Sequence, residues 1–190
     1  MNYVDPDGKK VVIWYGPKGN EKSFSFSGFH GKNSIRVPND AFVKSVIQAY
    51  VYNCINGGGE AFKRAVNRKE KIYVDDARLY DGDNSFSNDG HQPTVYWNPE
   101  IGIRFSERGS QSPATILEHE MDHAVDYVDN AQQHNERSRT YDKQFDTKEE
   151  RRVITGNEAK TAKSNGEAVR FDHRGTLYQT VSPITIEEQK

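Results

Sequence analysis

Two histidines four residues apart carry the strongest chemical signal in the chain. The run His119-Glu120-Met121-Asp122-His123 has the pattern HExxH. On an α-helix, residues i and i+4 share a face. Two imidazoles on that face can converge on one zinc ion at about 2.0–2.1 Å. Glu120 stands between them, suited to act as general base on a water at the metal's open position as that water attacks a carbonyl.

Such a site needs a third protein ligand. The segment Asp146-Thr147-Lys148-Glu149-Glu150-Arg151-Arg152-Val153-Ile154 offers two glutamates on a later helix. Glu150 shares a face with Val153 and Ile154 and is the favoured ligand. Glu149 shares one with Val153 only. Glu158, Asp126 and His173 are weaker candidates. The choice depends on register. With Asp146 as N-cap, Glu149 takes the capping-box position; with Thr147 as cap, Glu150 takes it.

His173, in Phe171-Asp172-His173-Arg174, is expected to be catalytic as a donor to the oxyanion of the tetrahedral intermediate. Tyr178 is a second candidate, and Arg174 a candidate clamp for a substrate carboxylate. Asp126, three residues past His123, is expected to hold that ring's other nitrogen. His30, His91 and His134 fall in polar stretches and read as bystanders. Cys54 lies on an apolar stripe and reads as core.

The elements must position these groups. Ser112-Pro113 is a helix start, with Ser as cap and Pro at the first helical position. The spacing predicts a helix from Pro113 to about Asn130, with Ile116, Leu117, Ala124, Tyr127 and Val128 on its packing faces. An earlier helix, capped by Asn39 or Asp40, carries Phe42, Val43, Val46, Ile47, Tyr50 and Val51, and stops at Gly57-Gly58-Gly59. A second is predicted from Glu60 to about Arg68. Strands are predicted at Lys10–Tyr15, Ser23–Ser27, Lys71–Val74 and Thr94–Trp97. Gly102–Phe105 is expected to pair with the last of these across a Pro-Glu-Ile-Gly turn. Tyr80–Gln92 reads as a long loop, and Ala131–Asp146 as polar and loosely packed. The helix carrying Glu149 and Glu150 is expected to end by Gly156. Because proteases bind substrate as an added strand on a sheet edge, Val95-Tyr96-Trp97 is a candidate substrate edge.

Composition narrows the function classes. The chain has 190 residues, 34% hydrophobic and 28% charged, with formal net charge −2. Its mean hydropathy is −0.93 and its pI about 6.3. Ten Tyr, nine Phe and two Trp argue against a disordered chain. The charge balance gives no global basic field, so no nucleic-acid partner is expected. No stretch approaches the roughly 20 apolar residues of a membrane span, so no membrane partner is expected. The polar start lacks a signal-peptide core. One cysteine excludes an intrachain disulfide and any multi-cysteine zinc site.

Two resemblances add to this reading. Asn2-Tyr3-Val4-Asp5-Pro6-Asp7-Gly8 resembles the end of the core of Rhs-type polymorphic toxins, where a variable toxin domain follows. The stretch from about Trp14 to His173 resembles the NleD-like effector zinc metallopeptidases. It does so through Val95-Tyr96-Trp97-Asn98-Pro99, His119-Glu120-Met121-Asp122-His123-Ala124, Glu149-Glu150 before a Thr-Gly, and Asp172-His173. The resemblance implies residues 1–13 as carrier remnant and 14–190 as the toxin domain. It implies a zinc endopeptidase that reaches a target cell as part of a larger carrier, cleaves a protein there, and is held in check by an immunity protein.

The resulting expectation is an α+β, zincin-like fold with a small mixed or antiparallel sheet. His119, His123 and Glu150 bind Zn2+, Glu120 activates water, and His173 assists. The rival is a non-catalytic binding module with structural zinc, which a fourth protein ligand such as His173 on the metal would favour. A nuclease would need His91 or His134 beside acidic groups.

Overall fold

The computed structural model describes residues 11–28, 36–80, 82–89, 92–105 and 109–189. His30, His91 and the Asn2–Gly8 phrase lie outside them. The fold is mixed α+β. Its main sheet has five strands in the order β2-β1-β3-β5-β4. These are β1 (Val11–Tyr15), β2 (Lys22–Phe26), β3 (Ile72–Asp76), β4 (Ser85–Ser87) and β5 (Thr94–Trp97). β1 pairs antiparallel with β2 and parallel with β3. β5 pairs parallel with β3 and antiparallel with β4.

The parallel step from β1 to β3 is made through α1 (Ala41–Ile55) and α2 (Glu60–Val66), as parallel strands require a long crossover. Asp40 caps α1, its side chain accepting from the Val43 N–H. At the start of α2, Gly59 has φ +76°, a left-handed value that suits glycine. Its N–H donates to Thr161 Oγ1 at 3.1 Å.

The site helix, α3 (Pro113–Asp129), starts as its sequence demands: Ser112 accepts from the Thr115 N–H and Pro113 occupies the first turn. Residues Pro113 through Val125 are all buried. Ala114, Leu117, Met121, Ala124 and Val125 join the sheet and α1–α2 residues, including Phe26, Phe62, Val74 and Trp97, in one core. Trp97 Nε1 donates to the Pro113 carbonyl at 2.9 Å, fixing the helix start to β5.

A second sheet has the order β10-β6-β7, from β6 (Ile101–Arg104), β7 (Ser110–Gln111) and β10 (Thr176–Gln179). Beyond α3 come α4 (Ala131–Ser138), the short hairpin β8 (Tyr141–Asp142) with β9 (Asp146–Thr147), α5 (Lys148–Val153) and α6 (Ala159–Ser164). No helix among the described residues is long and apolar enough to cross a membrane.

Val11 and Ile13 of β1 are wholly buried in the core. Three expectations change. The Gly102–Phe105 strand does not pair with β5; it joins the second sheet. The Tyr80–Gln92 segment contains β4, because Phe86 pairs against Val95. β5 is therefore interior, and β4 is the terminal strand in the order. The Ala131–Asp146 segment is mostly helix and hairpin. The helix that carries Glu149 and Glu150 breaks at Gly156 as expected: Gly156 has non-helical φ −99° and ψ −110°, and α6 follows beyond the kink.

Candidate metal centre

Each polar residue of α3 has a separate task. Glu118 is fully buried and accepts from the Ala61 and Phe62 N–H groups at 2.6 and 3.2 Å. It thereby satisfies orphan donors in the first turn of α2. Burial pushes its carboxyl up to about 8, against the lowering effect of those two bonds. Asp122, also buried, accepts from Arg152 and Asn157 at 2.8 and 2.6 Å. That leaves His119, Glu120 and His123, whose ligand atoms all lie within 4.8 Å of one another.

The two imidazole Nε2 atoms are 3.2 Å apart. Glu150 reaches them from α5: Oε2 is 3.3 Å from His119 Nε2, and Oε1 is 3.2 Å from His123 Nε2. Thr147 is the N-cap of α5 and accepts from the Glu150 N–H at 3.1 Å. Glu150 thus sits at the capping-box position, yet its carboxylate turns to the histidines. Donors held about 2.0–2.1 Å from a tetrahedral ion are separated by about 3.3 Å, the spacing found here. Glu150 Oε2 is moreover buried and makes no hydrogen bond among the described residues, its nearest polar contacts being His119 Nε2 and His173 Nε2 at 3.3 and 3.4 Å. A buried orphan acceptor is costly, and a cation removes the cost. The donor set therefore fits zinc.

The outer nitrogens are also fixed. His119 Nδ1 contacts Glu158 Oε2 at 2.6 Å, and Glu158, wholly buried, is paired with Arg170. The kink at Gly156 lets Glu158 face α3 as well as Glu150. His123 Nδ1 contacts Glu149 Oε1 at 3.3 Å. Glu149 is 1% exposed and accepts from Arg137 Nε and Arg152 Nη2, both at 2.6 Å. Asp126, expected behind His123, instead contacts His134 Nδ1 at 3.1 Å and Arg137. The α4 helix brings those groups to it, and Glu149 takes the place beside His123. His134 is buried rather than a bystander, 3.3 Å from Glu149. It sits with acidic groups, but those carboxylates are tied to Arg137 and Arg152, so the cluster supports His123.

Electrostatics follow this arrangement. Burial alone would lower the imidazoles. The neighbouring Glu150 and Glu158 carboxylates outweigh it and raise His119 to about 10. Glu149 and Glu150 raise His123 to about 9. Burial opposes ionisation of Glu158, but Arg170 and His119 bring it down to about 2. Glu150 is held well below the usual carboxylate range by His119 and His123, in spite of burial. Glu120 is shifted the other way, raised by burial. It makes no hydrogen bond among the described residues and lines two adjoining cavities of about 330 Å³.

His173 lines both cavities too. Its Nδ1 contacts Asp146 Oδ2 at 2.6 Å, and its Nε2 lies 3.4 Å from Glu150 Oε2. Tyr178 is not in the cleft; its hydroxyl donates to the Ile186 carbonyl at 2.9 Å. Arg174 borders a separate cavity with Lys143, Gln144, Arg151 and Asp172. Cys54 is half-buried against the core, where burial raises its thiol. Sequence reasoning missed the roles of Arg137, Arg152 and Arg170. Their one signal was the density of charge around Glu149 and Glu158.

A mixed α+β fold with two histidines and a glutamate converging beside an open cleft defines a protein with a buried site of metal-binding type. Residues 17–175 match the family model of peptidase family M91, described as effector protein, and the chain belongs to that family. This is the NleD-like family resembled in the sequence; membership makes the chain a peptidase effector with protein as its substrate class. Neither the curated proteins nor the solved structures give a match.

Proposed function

We propose that the chain is a zinc endopeptidase, a zincin-like effector that hydrolyses a peptide bond in a protein of a target cell. His119, His123 and Glu150 hold the metal. The observation that carries this reading is the convergence of their donor atoms at 3.2–3.3 Å, with Glu150 Oε2 buried and without a hydrogen bond among the described residues. A bound zinc ion supplies Lewis-acid polarisation of the scissile carbonyl and acidifies water at neutral pH.

The chain's own groups do the rest. Among the described residues, Glu120 faces the cleft without a competing hydrogen bond, and its raised carboxyl suits a general base. It takes a proton as the water oxygen bonds to the carbonyl carbon. As the C–N bond breaks, it returns that proton to the leaving amine. His173 Nε2 faces the developing oxyanion. β4 lines the cleft and is the terminal strand of the main sheet, so an extended substrate can add to it. This replaces β5 as the docking edge.

The carrier is a larger Rhs-type protein that delivers this domain, and an immunity protein protects the producing cell; both rest on the resemblance of Asn2–Gly8 and of the family. Chelation tests the metal. Treatment with 1,10-phenanthroline should abolish cleavage of a proteome-derived peptide mixture read by mass spectrometry. Equimolar zinc should restore it and magnesium should not. Cleavage that survives complete zinc removal would exclude the mechanism.

A further inference from the structure

We infer that Asp146 is a positioning residue for catalysis: it holds the His173 imidazole so that Nε2 faces the cleft. This rests on the zinc-peptidase reading. The backbone at this position suits glycine best, and aspartate only tolerates it better than most other residues do. Asp146 is the sole non-glycine residue with positive φ (+65°) among the described residues. The Thr147 N–H donates across it to the Phe145 carbonyl at 2.7 Å. An i to i+2 bond around a central φ of that sign marks the rarer and strained kind of γ-turn.

Glycine would take this conformation without a Cβ penalty. Burial does not explain the aspartate either, since its side chain is 70% exposed. What the carboxylate does make is the 2.6 Å contact to His173 Nδ1. Strained residues persist where the surroundings over-determine them, and they cluster at functional sites. Here the surroundings are on both sides. Asp146 directly precedes Thr147, the cap of the helix that carries Glu150. The His173 loop is stitched to the same turn by the Gln144 side chain, which donates to the Phe171 carbonyl. The His173 N–H reaches the Gln144 carbonyl at 3.4 Å. One strained turn thus sets the third ligand and the facing histidine in a common frame. With Nδ1 engaged by Asp146, Nε2 is turned to the cleft wall at Glu150, 3.4 Å from its Oε2 and beside the cavity both residues line.

The test uses the full chain with zinc and a quenched-fluorescence peptide selected from a random library by wild-type cleavage. Asp146→Gly keeps the backbone and removes the carboxylate; Asp146→Asn keeps an acceptor and tolerates the same φ. Asp146→Gly should lower kcat roughly 10- to 100-fold with KM within about twofold. Asp146→Asn should recover most of that loss. Asp146→Gly should add little to His173→Ala. Zinc content should stay at the wild-type value, and the Tm of Asp146→Gly should stay within about 2 °C of wild type or rise, because strain is relieved. Full kcat in Asp146→Gly, or a Tm drop large enough to account for the lost activity, would overturn the assignment. Either leaves the peptidase reading standing. That reading fails separately, if Glu120→Gln cleaves the peptide as wild type does or if no library peptide is cut.

Discussion

The imidazoles of His119 and His123 turn Nε2 toward Glu150 because a carboxylate engages each Nδ1: Glu158 behind one ring, Glu149 behind the other. Such outer partners fix the tautomer and ring angle of metal-binding histidines. The three glutamates therefore separate experimentally. Glu150→Ala removes the proposed third ligand and should abolish stoichiometric zinc after dialysis. Glu149→Ala and Glu158→Gln should retain zinc but weaken its affinity roughly 10- to 100-fold, measured by competition with a chromophoric chelator. Retention of tight zinc by Glu150→Ala, with loss in Glu149→Ala, would exchange their roles. The HExxH spacing was legible because helical geometry is local. Spacing also favoured Glu150 over Glu149 as the third donor, but the place of Glu149 behind His123 was not legible. Glu149, which its spacing marks as the less buried, is 1% exposed, while the Glu150 side chain retains 20% exposure at the cleft wall. Two arginines, Arg137 and Arg152, draw Glu149 inward, and no periodicity encodes that choice.

At the scale of elements, α3 is almost wholly enclosed and is tied to its neighbours by polar side chains as well as by core packing. Glu118 caps α2 from within α3. Its carboxyl sits at about 8 when folded, above the ordinary 4.5, because of burial. A raised carboxyl contributes stability that is complete below its unfolded pKa and is lost as pH rises through the folded one. Wild type should therefore lose stability relative to Glu118→Gln between about pH 4.5 and 8. Urea unfolding of both proteins on either side of that window checks this. The gap favouring wild type should shrink at the higher pH, and a gap that widens would contradict it. Local signals placed the helix starts well: Asp40, Ser112 and Thr147 all cap as their residue types suggest. Pairing was less legible. β6 follows β5 by a short turn, yet it pairs instead with β7 and with β10, far later in sequence. Hairpin proximity lost to a long-range contact, and the polar run around Asn84–Asn88 hid β4 because one apolar residue, Phe86, anchors it.

Across the whole molecule, the core and the site are largely separate structures. The main core gathers α1, α2, the five-stranded sheet and one face of α3. The donor atoms occupy the opposite side of α3, facing α5 and the loop at His173. Metal removal should therefore lower Tm by an amount that grows with the logarithm of zinc concentration over its Kd, while unfolding remains cooperative and near-ultraviolet circular dichroism is retained below it. Collapse of the fold on chelation would instead favour structural zinc, since structural sites supply the folding energy outright. The low mean hydropathy, −0.93, finds its place in the same division. Its polar excess lies in Tyr80–Gln92 and Ala131–Asp146, which supply β4 and α4 to the rim and support of the cleft.

The most direct measurement compares wild type with Glu120→Gln in one preparation each, recording zinc stoichiometry and peptide cleavage together. The carboxylate at position 120 lines the cleft but is assigned to proton transfer, with His119, His123 and Glu150 binding the ion. Both proteins should carry about one zinc per chain, and cleavage should fall by roughly 100-fold or more in the variant. Zinc absent from wild type, or cleavage at the wild-type rate in Glu120→Gln, would contradict the account.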